Sequence, residues 1–398
     1  MVTRDIIPEL RRAAAEYPIV TITGPRQSGK TTLARTCFPE KPYYSLESPD
    51  TRAAVAADPR SFLDHLPDGA VLDEVQRLPD LLSYLQEAVD AQSGRGLFIL
   101  TGSHQPLLQQ AISQSLAGRT AVLHLLPFSV SELRHYGALD DPFPLLVRGF
   151  YPRLHEEKLD PRRFYSNYLQ TYLERDVRLL LNVRDLTSFQ HFLVLMAGRV
   201  GQPANLAALS SDLGLSATTL RAWISVLTAS HVLFSLPPFS GNLRKRLVKA
   251  PKPYFTDVGL AAALLGIHDG TQALQHPLRG PLYENMVIAE VLKGAANRGL
   301  RPDLSFYRDS HGNEVDLLVR EAGRLVPVEI KSSATFSIDF LKGLDHLRAT
   351  GLEALDQGVV LANCKEDLLV RGMRVMNPWR VDNLWQALTT PAPSAATT

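Results

Sequence analysis

Cysteine is nearly missing from this 398-residue chain, which has two, Cys37 and Cys364, far apart in sequence. Neither falls in a metal-ligand spacing, which excludes a zinc ribbon or a disulfide framework and fits a reducing compartment. Long apolar runs are also missing: no stretch approaches the roughly 18 residues of a membrane span, so no membrane association is expected. The opening segment MVTRDIIPELRRAAAEYP carries charges throughout and has no long apolar core, so it is expected to be an amphipathic helix and not a secretory signal. A cytoplasmic location follows as the expectation. An excess of one charge is the third absence. With 42 basic and 41 acidic residues the net charge is +1, so no global field draws the chain to nucleic acid, and only local basic patches can argue for it.

At this length two or three domains are expected, and an apolar fraction of 45% suits a globular protein. The densest signal is Gly24-Pro25-Arg26-Gln27-Ser28-Gly29-Lys30-Thr31, with Thr32 after it. The spacing is G-x-x-x-x-G-K-T, a complete phosphate-binding loop. An apolar run, Ile19–Ile22, leads in and a helical run leads out, which is the strand–loop–helix context the motif needs. Backbone N–H groups and the helix N-terminus would form an anion nest for ATP. Lys30 would reach the β- and γ-phosphates, and the Thr31 hydroxyl would ligate Mg²⁺. About forty residues on, the apolar run Gly69–Leu72 ends in Asp73-Glu74. There Asp73 can hold Mg²⁺ through water, and Glu74 can polarise the attacking water.

A further strand, Leu97–Leu100, runs into Thr101-Gly102-Ser103-His104. Either Ser103 or Thr101 is a candidate sensor of the γ-phosphate, or the segment is a plain Ser/Thr turn. Arg119 precedes another strand, Ala121–Leu126, and reads as a sensor, as a finger to a neighbouring subunit, or as a surface residue. Strands alternating with helices predict a parallel α/β sheet of P-loop NTPase, AAA type, over residues 1–150.

Residues 151–275 read as helical. Asn205–Leu213, the stop Gly214, the cap Ser216 and Ala217–Ser230 give a helix-turn-helix, and the strand His231–Leu236 follows it. A winged helix is therefore expected. Its second helix has one basic residue, Arg221, whereas the wing carries Arg244, Lys245, Arg246, Lys249 and Lys252. These could contact DNA phosphates, or the fold could serve packing and assembly. Over residues 276–387, Glu284 lies in a helical run, and Asp316, Glu329 and Lys331 show the spacing D-x₁₂-E-x-K on successive strands. This matches the PD-(D/E)xK nuclease pattern, in which carboxylates hold a divalent metal and the lysine stabilises charge. An accidental match and a nuclease-like fold without cleavage stay open beside it. Residues 388–398 are expected to be a disordered tail.

Taken together these motifs resemble the bacterial and archaeal predicted ATPases of the AAA superfamily that carry a C-terminal domain of unknown function. The marks are Gly24–Thr31, Asp73-Glu74-Val75-Gln76, Thr101-Gly102-Ser103, Tyr172-Leu173-Glu174-Arg175-Asp176, Lys252–Gly259, Glu314-Val315-Asp316 and Glu329-Ile330-Lys331. The resemblance implies that Gly24–Thr31 and Asp73-Glu74 bind and hydrolyse ATP. It departs at Arg148-Gly149-Phe150-Tyr151-Pro152, where a second glycine is expected in place of Arg148. Three functions compete. One is an ATP-driven motor or remodeller working on DNA as a homo-oligomer, with a hexamer as one form. The second is an ATP-dependent switch or defence-type interaction protein with an inactive nuclease-like domain. The third is a metal-dependent nuclease.

Overall fold

The computed structural model describes residues 2–92, 94–103, 111–112, 114–137, 139, 141–173, 186–239, 250–352 and 354–390. His104, the run 174–176, the wing residues 244–249 and the segment from 391 onward lie outside the described residues. Two compact units emerge. Residues Met1–Phe128, Ser225–Val232 and Ala296–Leu300 form the first, and Ser129–Ile224, Leu233–Ala295 and Arg301–Thr398 form the second. Among the described residues, no helix is long and apolar enough to cross a membrane.

The first unit is built on five parallel strands: β1 (Ile19–Gly24), β2 (Tyr43–Ser45), β3 (Ala70–Asp73), β4 (Phe98–Ser103) and β5 (Thr120–His124), in the order β2-β3-β4-β1-β5. The apolar runs are nearly continuous because helices cover both faces of the sheet. On one face Val20, Ile22, Val71 and Ile99 pack with Leu10 of α1 (Ile7–Glu16) and Leu33 and Ala34 of α2 (Lys30–Cys37). On the other, Leu72, Phe98 and Leu100 pack with Leu82, Leu85 and Val89 of the helix Leu81–Ala91. Parallel pairing puts the carboxyl ends of β1, β3 and β4 on one edge, with Gly24 paired to Ser103 and Leu72 to Leu100. The three candidate motifs of this unit therefore meet at that edge.

Helices α3 (Leu206–Leu213) and α4 (Ala217–Ala229) are joined through Gly214 at φ +65°; the second unit holds α3 and α4 up to Ile224. Asn205 caps the first helix and the Ser216 hydroxyl accepts from Thr219 N at 3.1 Å at the start of the second. Strands β6 (Leu233–Leu236) and β7 (Lys252–Phe255) then pair antiparallel. A six-stranded mixed sheet follows: β8 (Asp303–Arg308), β9 (Glu314–Glu321), β10 (Arg324–Lys331), β11 (Val359–Ala362), β12 (Leu368–Val370) and β13 (Met373–Met376). Its order is β12-β13-β11-β10-β9-β8. Helix α5 (Arg279–Ala296) precedes it. The helix Leu384–Thr389 carries ordered chain into the span 388–398 that the composition reads as tail, because Leu384, Trp385 and Leu388 are buried. At the departure noted above, the Arg148 side chain donates to Leu154 O at 2.9 Å. Gly149 beside it cannot be replaced: a Cβ would stand 1.9 Å from the Tyr165 hydroxyl.

Candidate functional site

The phosphate loop leaves β1 at Gly24, whose backbone runs so close to β5 that a Cβ would lie 2.1 Å from Leu125 O. Gln27 and Gly29 adopt positive φ, 62° and 93°, and curl the backbone around the side chain of Lys30. Lys30 is 6% exposed and its Nζ donates to Gly24 O at 3.1 Å and Pro25 O at 2.8 Å. Burial, opposed by the charges of Glu74 and Asp73 and reinforced by Arg26, pulls this lysine down to about 8. Two buried polar atoms of the loop, Gln27 Oε1 and Ser28 Oγ, have no partner among the described residues. Polar atoms left in that condition cost free energy unless something completes them; the Ser28 hydroxyl can donate to a phosphate oxygen, whereas Gln27 Oε1 only accepts and needs a donor such as water. Thr32 faces a cleft of about 530 Å³ beside α2, which it shares with Thr31, Arg35, Lys41 and Tyr43.

Asp73 ends β3 and is ringed by hydroxyls. Its Oδ1 accepts from Thr31 Oγ1 at 2.8 Å and from Thr101 Oγ1, and its Oδ2 accepts from Tyr43 OH at 2.9 Å. The donor set is hard and oxygen-based. Magnesium is held by one or two protein oxygens together with phosphates and waters, so the Thr31–Asp73 pair fits it. Glu74 follows in the left-handed region, φ 58° and ψ 45°, with its N–H 3.3 Å from Thr101 Oγ1. Its Oε2 accepts from Gln76 Nε2, which also donates to Ser103 Oγ at 2.9 Å. The two sensor candidates are thus separated: Thr101 addresses Asp73, and Ser103 addresses Gln76.

Three residues of this site carry no separate role in the sequence reading. Tyr43 reads there only as part of a short strand. Burial, with the Asp73 charge beside it, pushes its hydroxyl up to about 12, so it stays a donor. Gln76 is two residues from Glu74 in a single 3₁₀ turn, Val75–Arg77, and its polarity there is the one local signal. Arg4 has no local signal at all, yet its buried guanidinium donates to Ser28 O at 2.8 Å and Leu126 O at 2.7 Å behind the loop. Arg119 is the correction. It precedes β5 at the amino edge of the sheet, where Ile19 N bonds Arg119 O, and its guanidinium makes a paired contact with Asp90 at 2.6 and 2.7 Å. The parallel register puts it at the far end of the strands from Gly24, so it is not a sensor for this chain's own loop.

The second unit gathers another set. Glu284 on α5, Asp316 on β9, and Glu329 and Lys331 on β10 come together, since the β9–β10 register pairs Leu317 with Val328. Asp316 Oδ2 accepts from Ile330 N at 2.7 Å, and Lys331 Nζ lies 2.5 Å from Glu329 Oε1 and 3.6 Å from Asp316 Oδ2. Lys252, expected on the wing facing DNA, is instead buried in this cluster at 1% exposure. Its Nζ lies 2.5 Å from Glu314 Oε1 and 3.4 Å from Glu284 Oε1. Its position on β7, directed inward, overrides the reading of a solvated basic run. Tyr254 donates to Glu284. Burial first, then the Asp316 charge, pushes Glu284 up to about 7 and Glu329 up to about 8. Among the described residues no group of three His, Cys, Asp or Glu side chains is placed to hold a metal ion. The carboxylates here take lysine partners instead.

A five-stranded parallel sheet with a phosphate loop on β1 and a paired carboxylate at the end of β3 defines the first unit as a P-loop ATPase domain. The AAA domain family matches residues 16–134, and two domains of unknown function match residues 140–271 (DUF8612) and 279–380 (DUF4143). The chain is 33% identical over 339 residues to the uncharacterized proteins Rv2008c of Mycobacterium tuberculosis and Mb2031c of Mycobacterium bovis, spanning 84% of this chain and 75% of theirs. It belongs to the AAA-superfamily ATPases with a C-terminal DUF4143 domain. Among solved structures, the Walker-type ATPase of Pyrococcus abyssi gives a TM-score of 0.44 at 16% identity, over 65% of this chain and 94% of that one. A RuvB variant of Thermotoga maritima gives 0.31 at 22%, over 59% and 90%.

Proposed function

We propose that this ATPase works by Mg²⁺-dependent hydrolysis at the edge where β1, β3 and β4 end, and that hydrolysis drives a homo-oligomeric remodeller of DNA. The observation that carries the hydrolytic part is the 2.8 Å contact between the Thr31 hydroxyl and the Asp73 carboxylate, with Glu74 next in sequence. Thr31 and Asp73 would hold the ion, and bound Mg²⁺ supplies neutralisation of the β- and γ-phosphate oxygens. Lys30 and the loop N–H groups bind the phosphates, Arg4 fixes the loop from behind, and Glu74 orients the attacking water and accepts its proton. The DNA part draws on the α3–α4 helix pair, with Arg221 exposed on the second helix. Turnover measured with and without Mg²⁺, and with duplex, single-stranded and branched DNA, tests both parts. Unchanged rates across the DNA panel remove the DNA role and leave the hydrolase.

The second reading is an ATP-gated switch with an inert nuclease-like domain, as a homo-oligomer whose assembly follows nucleotide state. It is favoured by the lysine pairing of Glu284, Glu314, Asp316 and Glu329. Mg²⁺-dependent DNA cleavage that disappears in Asp316→Ala rejects the inert domain. An oligomeric size that is the same with and without ATP rejects the switch.

A further inference from the structure

Two bonds single out Gln76. Its amide Nε2 donates both to Glu74 Oε2 and to Ser103 Oγ, the latter at 2.9 Å. The geometry that makes this span possible is local. Glu74 sits at φ 58°, a conformation a non-glycine residue adopts at a cost, and the 3₁₀ turn closed by Arg77 N to Glu74 O at 2.9 Å folds Gln76 back over it. Strain of this kind at the residue after a catalytic-edge aspartate persists only when the surroundings fix it. Ser103 is the last residue of β4 and pairs with Gly24, the first residue of the phosphate loop. A group at that position meets whatever occupies the loop.

The bonding of Gln76 is one-sided. Its Oε1 is buried and has no partner among the described residues, so both of its bonds run through one nitrogen. A serine hydroxyl that accepts from Gln76 still has its own proton to donate, and a phosphate oxygen is an acceptor for it. Thr101 is engaged differently, with Asp73 and with the Glu74 backbone. The metal-side carboxylate and the water-side carboxylate thus answer to two different residues of β4.

We propose that Gln76 is a positioning residue that ties the orientation of the Glu74 carboxylate to Ser103, so that what Ser103 meets beside Gly24 sets whether Glu74 faces the attacking water. This rests on the reading of Glu74 as the residue that orients the water. The relay runs from the phosphate end of β4 through one side-chain amide, and it makes hydrolysis depend on an occupied loop.

The test is a double-mutant cycle in the full chain with Gln76→Ala and Ser103→Ala, alone and together. It reads kcat and KM for Mg-ATP, with ADP binding measured on each variant. Each single change is expected to lower kcat about 10-fold or more while KM stays within about 3-fold. The double variant should be no slower than the worse single one, because residues acting in series do not add. Losses that multiply, or parent-rate turnover by Gln76→Ala, overturn the relay. If Gln76→Ala also loses ADP binding, Gln76→Asn decides: its amide is a methylene too short for both bonds, so parent-rate turnover there overturns the relay and a kcat loss upholds it. Glu74→Gln separates the two levels. If it turns over at the parent rate, the reading of Glu74 is wrong; if it stalls while the other losses multiply, the relay alone is wrong.

Discussion

The two acidic clusters of this chain are compensated in opposite ways. In the first unit Asp73 is held by three hydroxyls and Glu74 by an amide, all neutral donors, and the nearby lysine donates to backbone carbonyls instead. In the second unit the carboxylates are held by ammonium groups, Lys252 between Glu284 and Glu314 and Lys331 between Asp316 and Glu329. Neutral donors orient a carboxylate and leave its charge in place for a cation. Ammonium partners offset part of that charge on the spot. The first arrangement is prepared for a metal–phosphate ligand; in the second, two ammonium groups offset part of the charge of four carboxylates, and the remainder shows in the raised Glu284 and Glu329. The lysines report the same contrast. Burial of Lys30 outweighs the opposing charges of Glu74 and Asp73 and lowers it, whereas burial of Lys252 and Lys331 is outweighed by surrounding carboxylates and both are raised.

The largest expected effect breaks the first cluster. Glu74→Gln removes the proton acceptor while keeping size and hydrogen-bonding capacity. We expect kcat to fall by about 10²–10⁴-fold, the range for a general base, with ATP still bound. Single-turnover hydrolysis beside equilibrium ATP binding separates the two; a variant that hydrolyses normally would falsify the assignment.

The next effect is on stability and compares the clusters directly. Lys252→Met leaves Glu284 and Glu314 without their shared cation. Breaking a buried pair from one side costs about 3–5 kcal/mol. Tyr43→Phe removes one neutral bond from Asp73, and the expected cost is about 0.5–1.5 kcal/mol. Urea unfolding of the two variants should rank them in that order, and adding Glu284→Gln to Lys252→Met should recover part of the loss. Equal costs would mean that the ammonium is not what balances the second cluster.

Much of the first site is legible in the sequence because its parts are contiguous. Gly24–Thr31 and Asp73-Glu74 are local runs on strand ends, and parallel pairing can bring such ends to one edge in few ways. Arg119 misleads because a polar residue beside a strand has no sign of which end it occupies; the register answers that. Arg4 is illegible because its partners, Ser28 and Leu126, are distant in sequence. The helix pair α3–α4 is announced by its stop Gly214 and cap Ser216. Lys252 reads as solvated charge because it closes a basic run, and only the pairing of β7 with β6 turns it inward.

The smallest expected effect is a pH limb, and it sharpens the comparison without altering the fold. The dependence of kcat/KM on pH reports groups of the free enzyme. Burial places Lys30 at about 8 when no nucleotide is bound. Below that pH the ammonium is charged and can meet phosphate; above it the proton leaves and the encounter complex loses an ion pair. Log kcat/KM for Mg-ATP should therefore bend downward near pH 8 and approach a tenfold loss per unit beyond it. Bound polyphosphate favours the ammonium, so the kcat profile should hold flat to higher pH. Arg26 is among the groups that lower Lys30, and Arg26→Ala should move the limb upward. A kcat/KM profile that stays level through about pH 9.5 would mean that Lys30 keeps its charge as firmly as Lys252 does, and the contrast between the two clusters would then rest on the carboxylates alone.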